Sequence, residues 1–333
     1  MTRVLLTHAA TARAHYFGPR ALAALERLAQ VRLNPHDRPL STAELIDAAR
    51  GCRYVIADRA TEGRAELFDG CPDLQAFVRC AVDIRTVDVA AASRAGVLVT
   101  QASAGYVAAV AEWVMGVSID LARGIGDANA RYHAGAPPAP RMGREMRGAI
   151  LGLVGYGQIA RYLSGLAQAF GMQVLVHDPH APRDADAPPA RSLPQLLAES
   201  DIVVCLAAAT AETEGLFDAA AFAAMKPDAC FVNAARGELV DEAALLAALN
   251  AGRLAGCALD VGRAADQRPS DALARHPRVI ATPHIGGLTL PAVEHQAFET
   301  VEQVGALLRG ELPRGAVNAA HAARLGSDSG SPG

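Results

Sequence analysis

Three segments that each follow a short apolar run carry side chains suited to acid–base and anion chemistry. Arg236 lies in Asn-Ala-Ala-Arg-Gly, Asp260 in Leu-Asp-Val and His284 in Thr-Pro-His-Ile-Gly-Gly. A planar, permanently charged guanidinium suits bidentate binding of a carboxylate, and an imidazole can give or take a proton near neutral pH. Taken singly, Arg236 could be a surface salt bridge and His284 a hydrogen-bonded structural histidine. Taken together, these segments could converge on one crevice, where side chains of these types would be able to bind a small carboxylate and move a proton.

A fourth segment has the pattern of a nucleotide-binding turn. Gly-Leu-Val-Gly-Tyr-Gly-Gln-Ile-Ala, residues 152–160, follows a strand-like run and opens a helix-like one. Gly155 allows the tight turn, and Gly157 lets backbone N–H groups approach a pyrophosphate. Asp178 ends the next strand-like run, 23 residues after Gly155, where an acid would accept from ribose hydroxyls and repel a 2′-phosphate. The alternative is that Asp178 belongs only to a strand-ending turn. The pattern predicts NAD as the cofactor.

These side chains need parallel strands to bring them to one edge of a sheet. Short apolar runs alternate with helix-like stretches along the chain, which predicts βα units and parallel sheets. One series ends near residue 102, and a second, from Ala149, has six strand-like runs, enough for a complete doubly wound sheet. Since ligands bind at the carboxyl ends of such strands, the four segments could meet in one crevice. We therefore predict an α/β protein with two doubly wound parallel-sheet domains.

Two long helical patterns mark the predicted connections between the domains. The first, Tyr106 to Arg123, has apolar residues at helical spacing for about five turns. The second, Leu290 to Arg309, is long enough to return the chain to the first domain. We predict a discontinuous first domain, residues 1–102 with 288–333, and a continuous second domain that contains the glycine turn, residues 103–287. Residues 326–333 form a low-complexity tail that we expect to be mobile.

The composition excludes several classes of protein. At 333 residues, the chain exceeds the roughly 250–300 residues that one core supports, which favours two domains. A formal charge of −4 gives no broad basic field for nucleic acid or anionic lipid. Met1 leads directly into a strand-like segment, and no run reaches about 18 apolar residues, so we expect a cytoplasmic protein. The cysteines and histidines lack metal-ligand spacing, so we expect reduced thiols and no metal.

In their order along the chain, these segments resemble the D-2-hydroxyacid dehydrogenase family, and the resemblance covers nearly the whole chain. It rests on the glycine turn, Asp178 and the three segments that carry Arg236, Asp260 and His284. It implies a Rossmann cofactor domain, a flavodoxin-like substrate domain, a cleft between them, and a homodimer paired through the cofactor domains. It also implies NAD-dependent oxidoreduction of a 2-hydroxy or 2-keto acid. Arg236 would bind the substrate carboxylate and carbonyl, and His284 would exchange a proton with the reacting oxygen.

The resemblance assigns further residues to the substrate and the cofactor. Backbone N–H groups of a loop containing Val82, Asp83 and Ile84 would hold the substrate carboxylate together with Arg236. Asp260 would lie near the nicotinamide carboxamide. The implied cofactor-binding residues are Gly155, Tyr156, Gly157, Gln158, Ile159, Asp178, Ala207, Thr213, Ala234, Asp260, His284 and Gly287.

The sequence departs from the family pattern at two positions near the expected chemistry. Ala265 stands where typical members have a glutamate that hydrogen-bonds the catalytic histidine. Asp266 lies one residue further on, and Asp83 occupies a position in the substrate loop that is normally glycine. We expect that either acid could substitute for the glutamate, and Asp83 could otherwise bind a cationic substrate group. The structural alternative is an ion pair between Asp83 and Arg79 or Arg85.

Ala265 also leaves a second function open. An NAD-binding regulatory or sensor protein with little turnover would keep the fold and the cofactor site without the missing acid. Arg236 and His284 favour catalysis, because nucleotide binding alone requires neither. Val107 and Ala108 replace a Thr-Glu pair common in the family, which indicates a substrate other than the commonest one.

Overall fold

The chain forms two compact units. The computed structural model describes residues 1–181, 187–264 and 266–326. Unit 1 comprises Met1–Tyr106 and Thr289–Gly333, and unit 2 comprises Val107–Leu288. The boundaries expected from sequence lie four residues and one residue before these junctions. The expected tail beyond Gly326 and the departure at Ala265 lie outside the described residues.

Unit 1 is built on a five-stranded parallel sheet. Its elements in the first part of the chain are β1 (Arg3–Leu6), α1 (Ala10–Tyr16), α2 (Pro19–Leu28), β2 (Gln30–Leu33), α3 (Thr42–Ala49), β3 (Tyr54–Ala57), α4 (Ala65–Gly70), β4 (Ala76–Arg79), α5 (Val89–Arg94) and β5 (Leu98–Gln101). The strands lie in the order β2-β1-β3-β4-β5, which is the flavodoxin-like order.

The two central strands of unit 1 are covered on both faces. Every residue of β3 and β4 is buried, as expected for parallel strands between two layers of helices. Val55 and Phe77 pack into one apolar cluster, and Ile56 and Val78 pack into another. This period-two alternation follows from the pleat of the strand. It fixes the register and holds the carboxyl ends of the strands at one edge.

Unit 2 contains a six-stranded parallel sheet. Its elements are α6 (Val107–Arg123), α7 (Ile125–His133), β6 (Ile150–Val154), α8 (Gln158–Ala169), β7 (Gln173–His177), α9 (Leu193–Glu199), β8 (Ile202–Cys205), α10 (Ala219–Ala224), β9 (Ala229–Asn233), α11 (Glu242–Asn250), β10 (Leu254–Leu259), α12 (Asp271–Ala274) and β11 (Val279–Ala281). The strand order is β11-β10-β9-β8-β6-β7.

In unit 2 the chain passes from β6 to β7 on one side of β6 and then crosses to β8 on its other side, so the order of the strands reverses between β6 and β8. Such a switch point opens a crevice at the carboxyl ends of the strands, where open α/β sheets bind ligands. The order differs from the 3-2-1-4-5-6 order of two-half dinucleotide folds. The described chain after β7 contributes only the isolated bridge between Val176 and Ala190 at that edge, in place of a further strand.

The last long helix, α13 (Leu290–Leu308), belongs to unit 1. Its Val301 and Val304 join the apolar cluster that contains Ile56. Beyond the helix, the Val317 N–H donates to the Val99 carbonyl at 2.8 Å, and the Asn318 side chain accepts from the Val99 N–H at 2.7 Å. The outer edge of β5 is therefore completed by residues from the far end of the chain.

The thiols and helices agree with a chain that relies on apolar cores. All six cysteines are free and buried, as expected from their scattered positions. Burial raises the pKa of Cys80 and Cys205 to about 12, so both thiols are protonated at neutral pH.

None of the helices in the described part of the chain is both long and apolar enough to cross a bilayer.

A buried histidine lies at the carboxyl end of β1. His8 is 1% exposed and packs against Phe17, and its Nδ1 has no hydrogen-bond partner among the described residues. Burial lowers the pKa of His8 to about 4, the negative charge of Asp58 opposes this, and the positive charges of Arg13 and Arg79 reinforce it. His8 is therefore neutral in the folded chain at neutral pH.

Acidification should destabilise the chain through His8. The unfolded state, in which histidine has its ordinary pKa near 6.5, binds the proton more tightly than the folded state. The stability contributed by neutral His8 is therefore present above pH 6.5 and is lost as pH falls toward 4. We expect a loss of about 2 kcal/mol between pH 7 and pH 5. Urea unfolding at both values should show a shallower pH dependence for His8→Leu, and equal slopes would contradict this role.

Candidate functional site

The glycine turn follows β6 and leads into α8. Gly155 has φ of 92°, and a Cβ built there would lie 2.6 Å from the backbone of Ala207, which follows β8. Only glycine permits this conformation together with this close approach. Gly157 is the N-cap of α8 and supplies no side-chain cap, and a Cβ built on it would meet open space. Uncapped N–H groups beside open space fit a pyrophosphate, which the dinucleotide NAD contains.

The two glycines should respond differently to alanine. Gly155→Ala should lower the free energy of unfolding by about 3 kcal/mol, because the methyl group meets the Ala207 backbone and the positive φ is strained. Gly157→Ala should change the free energy of unfolding by less than about 1 kcal/mol. It should nevertheless weaken NADH binding about tenfold, because the methyl group would occupy the open space at the N-terminus of α8. Urea unfolding and NADH fluorescence titration measure the two effects. Equal loss of stability in both variants would contradict this assignment.

Asp178 follows β7 and contacts the glycine turn. Its Oδ2 accepts from the Tyr156 N–H at 2.7 Å, and its Oδ1 accepts from the N–H groups of His180 and Ala181 at 2.8 and 3.0 Å. Partial burial raises the pKa of Asp178, but these three hydrogen bonds outweigh it and leave the pKa below its ordinary value. The ionised carboxylate therefore lies against the glycine turn.

The other expected cofactor residues surround the carboxyl ends of β6, β8 and β9. The Ala234 N–H donates to the Cys205 carbonyl at 3.3 Å, so the loops after β8 and β9 are joined. The Thr213 hydroxyl is occupied within its own loop, where it accepts from the Thr210 N–H and donates to the Ala208 carbonyl. Gln158 and Ile159 form the first turn of α8.

Arg236 follows β9 in a loop fixed by Asn233. The buried Asn233 side chain donates to the Arg236 carbonyl at 2.9 Å and accepts from the Ala235 N–H at 3.0 Å. A Cβ on Gly237 would overlap the backbone of Gly262, so this loop packs directly on the loop after β10. The half-buried Arg236 guanidinium donates to the Ala235 carbonyl at 2.7 Å. No carboxylate of the described residues forms an ion pair with it, so it remains available to an anionic ligand.

Asp260 follows β10, and its carboxylate is hydrogen-bonded to the loop after β11, which carries His284. Asp260 is 4% exposed, and its carboxylate accepts three hydrogen bonds from the loop Thr282–Gly286. His284 is half-buried and has φ of 60°. Since β9, β10 and β11 are neighbours in the sheet, Arg236, Asp260 and His284 follow three adjacent strands. Gly287 lies just beyond the same loop.

The substrate loop expected from sequence lies in unit 1, after β4. Asp83 forms a bidentate ion pair with Arg85, with N–O distances of 2.8 to 3.2 Å. The hydrogen bonds from Arg85 lower the pKa of Asp83 to about 2, against the opposing effect of partial burial. Of the two arginines considered from sequence, Arg85 is thus the partner. The neighbouring Val82 and Ile84 are half-buried.

The remaining arginine of that loop, Arg79, is buried at the end of β4. It donates to the Asp58 carbonyl and to the Thr86 hydroxyl, and within the described part of the chain its Nε has no hydrogen-bond partner. Arg79 therefore ties the loop after β3 to the loop after β4. Asp266, in unit 2, accepts from the Arg268 N–H at 3.1 Å and lies 3.4 Å from the Arg268 side chain.

Two structural contributors to the site have no role assigned from sequence. Asn233 organises the Arg236 loop, and Thr282 joins the His284 loop to Asp260. Asparagine after a buried strand commonly hydrogen-bonds its own loop, so this signal is present in the sequence. The Thr282 contact depends on the packing of β10 beside β11 and has no comparable local signal. Among the described residues, no group of three or more His, Cys, Asp or Glu side chains could hold a metal ion.

Comparison with known families identifies the second unit. Residues 115–286 match the model of the D-isomer specific 2-hydroxyacid dehydrogenase, NAD binding domain. The chain is 38% identical to (S)-sulfolactate dehydrogenase of Chromohalobacter salexigens over 79% of this chain and 86% of that protein. It is 35% identical to D-3-phosphoglycerate dehydrogenase of Rattus norvegicus over 84% of this chain but 53% of that protein. The chain thus spans about half the length of the latter relative.

A solved structure extends the similarity over both units. D-lactate dehydrogenase with NAD+ from Lactobacillus jensenii matches with a TM-score of 0.81 and 26% identity. The match covers 95% of this chain and 99% of that one. The two parallel-sheet units therefore have counterparts in a dehydrogenase of known structure.

Proposed function

Because the chain belongs to the D-isomer specific 2-hydroxyacid dehydrogenase family and is an NAD-dependent enzyme of that class, we propose roles for its individual residues. Arg236 binds the carboxylate of a 2-hydroxy or 2-keto acid, and His284 exchanges a proton with its C2 oxygen. Gly155, Gly157 and Asp178 hold the dinucleotide.

The main support for this proposal is that the Arg236 guanidinium is half-buried and forms no ion pair with a described carboxylate. Its half-buried guanidinium follows a central strand in a loop fixed by Asn233, and no described carboxylate neutralises it. A positive charge in this position suits an anionic ligand, and its planar donors match a carboxylate. A guanidinium fixed in this way is already oriented before the substrate binds.

The roles of the two residues follow from the charge that develops during the reaction. NADH, when held by Gly155, Gly157 and Asp178, would supply a hydride to the C2 carbon of the substrate carbonyl. As the C2 oxygen gains negative charge, protonated His284 donates its proton to that oxygen. Arg236 holds the carboxylate and stabilises the charge on the same oxygen. In the oxidising direction, neutral His284 takes the hydroxyl proton.

The identity of the acid is the second part of the proposal. The two curated relatives described above are named for sulfolactate and phosphoglycerate, acids that carry a sulfonate or a phosphate as well as a carboxylate. We propose that this chain acts on a short 2-hydroxy acid. Assays with keto acids that carry only a carboxylate, and with keto acids that also carry a sulfonate or a phosphate, show whether the enzyme requires a second anionic group.

The direct test assays a panel of 2-keto acids with NADH and with NADPH. The rate is measured as the decrease in the absorbance of the reduced nicotinamide. The panel includes pyruvate, hydroxypyruvate, 3-sulfopyruvate and 3-phosphohydroxypyruvate. We expect oxidation of NADH with at least one of them and a preference for NADH over NADPH, since Asp178 repels a 2′-phosphate. NADH binding without turnover of any acid would instead support the sensor function.

A further inference from the structure

The loop that carries His284 is held by one buried carboxylate. Asp260 Oδ1 accepts from the Thr282 hydroxyl at 2.6 Å and from the Ile285 N–H at 2.8 Å. Its Oδ2 accepts from the Gly286 N–H at 2.8 Å. These three donors lie on both sides of His284 in the sequence. The carboxylate therefore fixes the backbone before and after the proposed acid–base residue.

The backbone of His284 needs such support. Its φ of 60° places it in the left-handed region, which is costly for a residue with a Cβ and persists only where the surroundings hold it. The His284 N–H also donates to the Thr282 carbonyl at 3.0 Å. Loss of the bonds to Asp260 would allow this loop to relax toward an unstrained conformation and would move the imidazole.

We propose that Thr282 is a positioning residue, which orients Asp260 and through it holds His284 where its proton can reach the substrate oxygen. The inference rests on the proposed role of His284. The hydroxyl of Thr282 is one of the two donors to Oδ1, so it fixes the plane of the carboxylate. That plane in turn directs the two oxygens toward the N–H groups of Ile285 and Gly286.

The two acids that sequence offered as substitutes for the missing glutamate are engaged elsewhere. Asp83 is bound to Arg85, and Asp266 is bound to Arg268. Asp260 instead acts on His284 through the loop backbone. Asp260, which the family resemblance assigns to the cofactor, thus also supports the backbone on both sides of His284.

The test uses substitutions that separate the effect of the Thr282 hydroxyl from that of its methyl group. Thr282→Val keeps the shape of the side chain and removes the donor, and we expect kcat to fall on the order of 10- to 100-fold through misplacement of the imidazole. NADH binding, measured by fluorescence, should stay within about twofold. Thr282→Ser retains the hydroxyl and should recover most of the activity. Thr300→Val is the control, because it also replaces a hydrogen-bonded threonine hydroxyl by a methyl group, here one that donates to the Ala297 carbonyl at 2.8 Å in α13, and kcat should not change.

A double-mutant cycle with His284→Asn separates positioning from general damage. If Thr282 acts through His284, Thr282→Val should change kcat by no more than about twofold in the His284→Asn background. The same large factor in both backgrounds would overturn the inference, and so would wild-type kcat in Thr282→Val alone. Wild-type kcat in His284→Asn would instead overturn the proposed function.

Discussion

Arg236→Ala should lower kcat/KM for the preferred 2-keto acid by about 10³-fold. The variant removes the donors that bind the carboxylate and stabilise the charge on the C2 oxygen, so KM should rise and kcat should fall. NADH binding should change little, because the glycine turn and Asp178 hold the dinucleotide. Steady-state kinetics with varied keto acid and a separate NADH titration measure the two effects.

Two further variants serve as an intermediate case and a control for this prediction. Arg236→Lys keeps the positive charge and loses the planar pair of donors, so its activity should lie between those of the wild type and the alanine variant. Arg275→Ala removes an arginine whose side chain is 82% exposed and paired with Asp271 on the surface of α12, and it should leave kcat/KM unchanged. Activity in Arg236→Ala close to that of Arg275→Ala would remove Arg236 from the proposed mechanism.

His284→Asn should lower kcat by about 10²- to 10⁴-fold in both directions of the reaction. Asparagine tolerates the left-handed backbone at this position and can form hydrogen bonds, but it cannot transfer a proton near neutral pH. Folding and NADH binding should therefore be preserved while proton transfer is lost. Circular dichroism and NADH titration check the first two properties, and steady-state kinetics check the third.

The pH dependence gives an independent measurement of the same residue. Reduction requires protonated imidazole and should slow as pH rises, whereas oxidation requires neutral imidazole and should slow as pH falls. Both dependences should disappear in the residual activity of His284→Asn. If they persisted unchanged, another group would be the proton donor, and the role of His284 would be limited to binding.

The sequence predicts the elements that bury a regular apolar pattern. The stretch Tyr106 to Arg123 corresponds to α6, and the stretch Leu290 to Arg309 corresponds to α13. The helix α7 is not predicted: it spans only nine residues, and none of them is buried. Periodicity reports burial, so an exposed helix leaves no such signal.

The spacing of the glycine turn and Asp178 predicts that they belong to one site, and the register explains the contact. Val154 pairs with His177 in the parallel strands β6 and β7, so the residues that follow the two strands lie side by side. The bond from the Tyr156 N–H to Asp178 is a direct consequence. Here local sequence and strand pairing agree.

The contacts of Asp83 and Thr282 could not be predicted in the same way. Two arginines lie within four residues of Asp83, and the choice of Arg85 depends on the burial of Arg79 under the loop. The bond from Thr282 to Asp260 joins residues 22 positions apart, and it exists because β10 and β11 pair. Tertiary packing rather than local pattern decides both.

The edge strand β5 hydrogen-bonds with residues near position 317, and α13 completes one layer over the first sheet. During synthesis on the ribosome, the whole of the second unit has been made before these two pieces emerge. We therefore expect unit 2 to fold first, while Met1–Tyr106 still has an unpaired sheet edge and an uncovered apolar face. That delay leaves a defined nascent surface, which chaperones could bind until α13 and the residues near position 317 emerge.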